Sequence, residues 1–196
     1  MWTREVLGTD VYHLFGSFVI YSILGWLVES IYMSICNKKI TNRGFAKGPF
    51  CPIYGFGCNL GYFLLVPFRS NFIVVYLVGA VFATAFEFLC GKMMIRLLGS
   101  LWWDYNDKFM NYKGIICLES TLAWGLYGWI VLYFLQQKVY QFIDLFDMNL
   151  GLRLLFLIMF IVLIDYVIQL LKVFDVDAKG KLLAICRIKK DRDDIE

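Results

Sequence analysis

The chain has 196 residues, 60% of them hydrophobic and 18% charged, and its 19 Lys and Arg against 16 Asp and Glu leave a net charge of only +3. With a mean hydropathy of +0.66, this composition excludes an ordinary soluble domain and points to an integral membrane protein. No apolar-poor stretch is long enough to build a second core, so one domain is expected.

The opening MWTREVLGTD lacks a basic region followed by a short apolar core and a small-residue cleavage site, so the first apolar run is expected to stay in the mature protein. Five segments then approach the roughly 20 helical residues that cross a hydrocarbon core. They are 11–36, 53–68, 72–95, 115–136 and 151–171. The second is short, lying between Pro52 and Pro67, and is read as either tilted or re-entrant. The expected fold is all-α: a bundle of about five transmembrane helices over residues 1–171, followed by a cytoplasmic tail at 172–196. That tail mixes seven basic with six acidic residues and forms no polybasic run, so no nucleic-acid partner is expected; Leu182 to Ile188 could form a short interfacial helix.

Placing Lys and Arg on alternate sides of five spans gives Arg4, Arg69, Lys138 and Arg153 on one side and the other 15 of the 19 on the opposite side. Positive charge near span ends marks the cytoplasmic face, so the N-terminus is expected outside and the C-terminus inside a cell membrane. None of the six cysteines falls in an outside loop, so structural disulfides are not expected. Cys-x-x-Cys spacing is absent and the single His13 stands at the outer end of span one, so neither a metal site nor a cofactor is expected.

The loop between spans one and two, NKKITNRGFAKGPFCPIYGFG, contains Gly44, Gly48, Pro49, Pro52, Gly55 and Gly57, which make a rigid, close-packed backbone, with Arg43 and Lys47 beside them. Two readings stand open: a turn leading into a helix that obeys the charge bias, or an anion-binding lip of Arg43, Lys47 and free N–H groups. The second informative loop, from Arg96 to Glu119, is polar and aromatic. Trp102, Trp103 and Tyr105 suit a membrane–water boundary. Asp104, Asn106, Asp107 and Asn111 offer polar groups, and Gly114 allows a tight backbone approach.

Glu29, Glu87, Glu119 and Asp165 lie within apolar runs, where a carboxylate costs about 2.5–3.5 kcal/mol at a helix centre. Counted from the nearest basic residue, each falls ~9–13 Å inside the boundary, which places them in one layer. Like charges so arranged need cations, hydrogen-bond donors or protons. They therefore make either an internal cluster that fixes helix packing or a site for a substrate, ion or proton. Gly25, Ala83, Gly91 and Ala123 stand four residues from these acids, which predicts helix-contact faces. Gly57, Gly61, Gly125 and Gly128 are read as further close-packing positions. No phosphate-binding loop or dinucleotide fingerprint occurs, so ATP would need a partner subunit.

The segments LGWLVES (Leu24–Ser30), NRGFAKGPFCPIYGFG (Asn42–Gly57), FEFLCG (Phe86–Gly91), and WDYN, N, KGIICL and WGLYG (from Trp103 through Asn111 to Gly128) resemble the CmpB-like family. These are small bacterial multi-pass membrane proteins classed as ABC-transporter type IV permeases. The resemblance implies a transport role and marks Glu29, Asn42, Arg43, Glu87, Trp103, Asp104, Tyr105, Asn111, Trp124 and Gly125. It also marks the loop-shaping Gly44, Gly48, Pro49, Pro52, Tyr54, Gly55 and Gly114. Asn106 departs from the Ser that commonly follows the family's Trp-Asp-Tyr triplet, which exchanges one small polar group for another.

Three readings follow. The first is a permease-like subunit binding a polar or charged small molecule, with Glu29, Glu87 and Glu119 lining the site and Trp103, Asp104 and Tyr105 as its gate. The second is a membrane-embedded enzyme acting on a lipid or lipid-linked substrate, with Asp104, Glu87 or Glu119 as acid or base. The third is an accessory or sensor protein. Five spans without internal repeats are few for a solitary transporter, so the first reading implies a homo-oligomer or a separate ATPase subunit beside the lipid bilayer.

Overall fold

The computed structural model describes residues 2–6 and 8–193, and side chains for residues 2–5 and 8–172. Two short antiparallel strands, β1 (Glu5–Val6) and β2 (Thr9–Asp10), form a hairpin that delivers the chain to the first long helix. Asp10 caps that helix, α1 (Val11–Asn37), by accepting the His13 N–H at 2.9 Å. Lys38, in a left-handed conformation, ends it. Helix α2 (Pro52–Leu65) starts on a proline, whose missing N–H costs nothing in a first turn, and runs into a 3₁₀ turn at Val66–Phe68. Asn71 caps α3 (Phe72–Leu98), which ends at Gly99.

After the second loop, Cys117 and Ser120 cap α4 (Leu118–Ile130) reciprocally. A π-helical turn at Val131–Leu135 joins it to α5 (Gln136–Ile143) without a break, and α6 (Met148–Asp193) completes the chain. The α6 backbone stays helical past Lys172, while the side chains of the tail, Cys186 among them, lie outside the described residues.

The fold is the expected all-α bundle. Among the described residues four helical stretches are long and apolar enough to cross a membrane, Val11–Asn37, Phe72–Leu98, Leu118–Ile143 and Met148–Lys172, and Pro52–Phe68 is a shorter apolar helix. Large apolar side chains face outward on all of them, including Ile35, Ile73, Val81 and Phe160. The interior is correspondingly small: Tyr12, Val19, Tyr21, Cys58, Val131, Val139 and Ile143 form its centre.

Small residues set the helix packing, because lipid gives helices no hydrophobic reason to associate and close contact must supply the attraction. Most inter-helix packing lies within two hairpins, α1 with α2 and α3 with α4. In the first, a Cβ at Gly25 would overlap the Tyr54 ring, and one at Gly55 would overlap Phe18 and Ser22. In the second, Gly125 lies against Tyr76, and Gly79 faces Gly128. Gly57 and Gly61 meet the rings of Phe86 and Phe82, which joins α2 to α3.

Candidate functional site

Glu29 stands on α1 four residues after Gly25. Because Gly25 has no side chain, Tyr54 of α2 lies across it, and the phenol donates to Glu29 Oε2 at 3.0 Å. The chain after α1 folds back along the same helix: Thr41 N–H donates to Ser34 Oγ at 2.9 Å and Arg43 N–H to Ser30 Oγ at 3.2 Å. This return brings Arg43 Nε to Glu29 Oε1 at 3.0 Å, an ion pair whose side chains are only 20% and 24% exposed. Arg43 Nη1 donates to the Trp102 carbonyl, so one guanidinium joins the first loop to the second.

Glu87, on α3, is 5% exposed. Three neutral donors hold it: Tyr105 OH to Oε1 at 3.1 Å, and Trp124 Nε1 at 3.0 Å and Ser120 Oγ at 3.3 Å to Oε2. Among the described residues it makes no ion pair. Burial pushes the Tyr105 phenol well above its usual range, with Glu87 adding to the effect, so Tyr105 remains a donor. The two carboxylates are linked through rings: Tyr54, bonded to Glu29, packs against Trp124, bonded to Glu87, with centroids 6.1 Å apart.

The loops form a scaffold above this pair. Phe45 stacks on Trp102 at 5.2 Å and also meets Tyr166 of α6 at 5.6 Å. Asn42 accepts from Trp26 Nε1 at 2.6 Å and donates to the Lys47 carbonyl at 2.8 Å. Gly48 N–H donates to Asp165 at 2.7 Å. Gly44 takes a positive φ, and Pro49 carries the chain into the buried Phe50 and Cys51. Burial raises the Cys51 thiol to about 12, with Glu29 nearby adding to it, so Cys51 is an inert thiol before Pro52.

In the second loop, Trp103 donates to the Ile115 carbonyl at 2.8 Å, and Asp104 accepts from both the backbone and side chain of Asn106. Asn111 donates to the carbonyls of Asn106 and Lys108. Gly114, at φ 65°, lies under the Asn106 amide, where a Cβ would come within 2.9 Å of it, and its carbonyl receives the Tyr105 N–H. This loop therefore serves as a mount that aims Tyr105 at Glu87.

The four acids do not share one environment. Glu29 and Glu87 face inward and are linked. Asp165 is spent on the Gly48 N–H and on Gln169. Glu119 is exposed, pairs with Lys108 at 2.9 Å and shares an outer face with Ala123. Sequence reading marked Trp124 only through the family resemblance and gave Ser120 no role, yet both cradle Glu87; their four-residue spacing on α4 was the available signal. It also missed a buried cluster in which Tyr21 OH donates to Gln136 Oε1 at 2.7 Å and Gln136 Nε2 to Ser17 Oγ at 3.4 Å.

A family model described as "Putative ABC-transporter type IV" (CmpB) matches residues 16–170, most of the chain and every residue of this arrangement. The chain belongs to this family. No curated protein and no solved structure matches it. Membership in the ABC-transporter type IV family covers more than the motifs that end at Gly128: the match reaches into α6 and takes in Asp165 and Tyr166, the residues that brace the first loop. Together with its apolar helices, it identifies a membrane protein of ABC-transporter type.

Proposed function

We propose that the chain is a multi-pass permease-like subunit of a bacterial cell membrane that binds a polar or charged small molecule at the Glu29–Glu87 pair. The observation that carries this reading is the contrast between the two acids: Glu29 has a cation, whereas Glu87 is buried with three neutral donors and no ion pair among the described residues. A carboxylate so placed is costly for packing alone, and intramembrane ionisable groups mark substrate and ion paths. The charge asymmetry of the loops supports an outside N-terminus and a cytoplasmic site. Family membership and the lack of a nucleotide-binding motif support a separate ATPase partner. The enzyme reading draws less support, since Asp104 is exposed and bonded within its own loop.

The test is to incubate the gently purified chain with a polar metabolite extract and identify what it retains by mass spectrometry. A small polar compound is expected on the wild type. It should fall at least about tenfold, a loss of roughly 1.4 kcal/mol, in folded Glu87→Gln and Arg43→Ala variants. Retention unchanged in both would remove the site, and loss of folding in both would make the pair a packing device. Cross-linking before purification should capture an ATPase in fixed ratio; its absence would end the transporter reading.

A further inference from the structure

Away from the carboxylates, the outer side of α1 carries an open groove of about 520 Å³ lined by Trp26, Leu27, Ile31, Ile35, Lys39 and Ile40, among others. One wall is the last turns of α1, and the other is the returning segment from Lys39 to Asn42. That segment is pinned because Thr41 N–H and Arg43 N–H donate to Ser34 Oγ and Ser30 Oγ. Both hydroxyls are thus engaged, and what faces the groove is apolar. Ile35 and Ile40 are 72% and 98% exposed. At the polar end Lys39 lines the groove and the exposed Lys38 precedes it in a left-handed turn, and neither forms an ion pair among the described residues.

We propose that this groove binds an anionic phospholipid, its acyl chain lying along Leu27, Ile31 and Ile35 and its phosphate meeting Lys38 and Lys39. The chemistry argues for this occupant. Leu27 to Ile35 spans about 12 Å of helix, an apolar track that ends at positive charge. A soluble anion has no use for that track, and a zwitterionic lipid gains less from the lysine pair. A second copy in a two-fold contact would bring four lysines together. The groove also shares a wall with the carboxylate site, since Trp26 donates to Asn42, the residue before Arg43.

The experiment reconstitutes the full chain in bilayers of equal phosphatidylglycerol and phosphatidylcholine and counts retained lipids by native mass spectrometry. The wild type should retain phosphatidylglycerol preferentially. Substituting Lys38→Gln and Lys39→Gln together should lower that preference about 30-fold, from about fivefold per lysine, while Lys38→Arg with Lys39→Arg should keep it. Ile31→Trp, which fills the track, should reduce retention of both lipids. The proposal is overturned by a preference that survives loss of both lysines, by lipid retention indifferent to Ile31→Trp, or by a lipid-free dimer.

Discussion

Arg43 serves two partners at once, the Glu29 carboxylate and the Trp102 carbonyl, from a position set by two serine hydroxyls. Its removal leaves Glu29 with only the Tyr54 phenol. Arg43→Ala is therefore expected to cost about 1–3 kcal/mol, below the full value for a buried pair because a fifth of each side chain reaches solvent. Adding Glu29→Gln should restore part of that loss, since the stranded charge is then gone. Thermal unfolding of the two single variants and the double variant would read this coupling, and additive losses would show that Arg43 acts through Trp102 alone. At this scale much was legible: Glu29, Arg43 and Glu87 stood out as charges in apolar surroundings. Tyr54 and Trp124 were marked only by the family resemblance and Ser120 not at all, because a hydroxyl or an indole is at home in a membrane helix and reveals its partner only when another helix is placed beside it.

Among the elements, the decisive contacts are those made possible by an absent side chain. Gly25→Ala would drive a methyl group into the Tyr54 ring and is expected to destabilise the α1–α2 hairpin by about 1–3 kcal/mol, taking the Tyr54–Glu29 hydrogen bond with it. Gly61→Ala, whose added carbon would lie at ordinary distance from Phe82, should stay within about 0.5 kcal/mol. Equal effects in a thermal-shift assay would contradict this packing. The spacing of small residues predicted the helix-contact face at Gly25, whereas Gly91 packs against the second loop through Ile115, Leu101 and Trp103, and Ala123 turned outward with Glu119. The π-helical turn before Gln136 was not legible. It adds an extra residue to one turn and carries Gln136 inward to Tyr21, where a regular helix read from sequence ends span four at a polar boundary.

For the whole molecule, the all-helical, apolar character of the chain was readable because hydropathy is a property of segments and needs no partner, and its family was readable from motifs that stand in the sequence; of the five expected spans, four are long enough among the described residues and the second is the short helix. The orientation has its own check. A cysteine introduced at Lys108 should react with an impermeant thiol reagent only after the cytoplasmic face is opened, and labelling in intact cells would invert the arrangement. The clasp between the two loops carries a further consequence for how such a protein would idle. At the level of the loops, the α1–α2 and α3–α4 hairpins meet through one guanidinium and one stacked ring pair, Arg43 with Trp102 and Phe45 with Trp102, in addition to the Gly57–Phe86, Gly61–Phe82 and Tyr54–Trp124 contacts between their helices. On the proposed reading, a cargo that competes for Glu29 would take the carboxylate that positions Arg43 and so loosen this tie, linking occupancy to the contact between the two loops. Arg43→Ala would then remove the guanidinium tie whether or not cargo is present, leaving the Phe45–Trp102 stack to hold the two loops together.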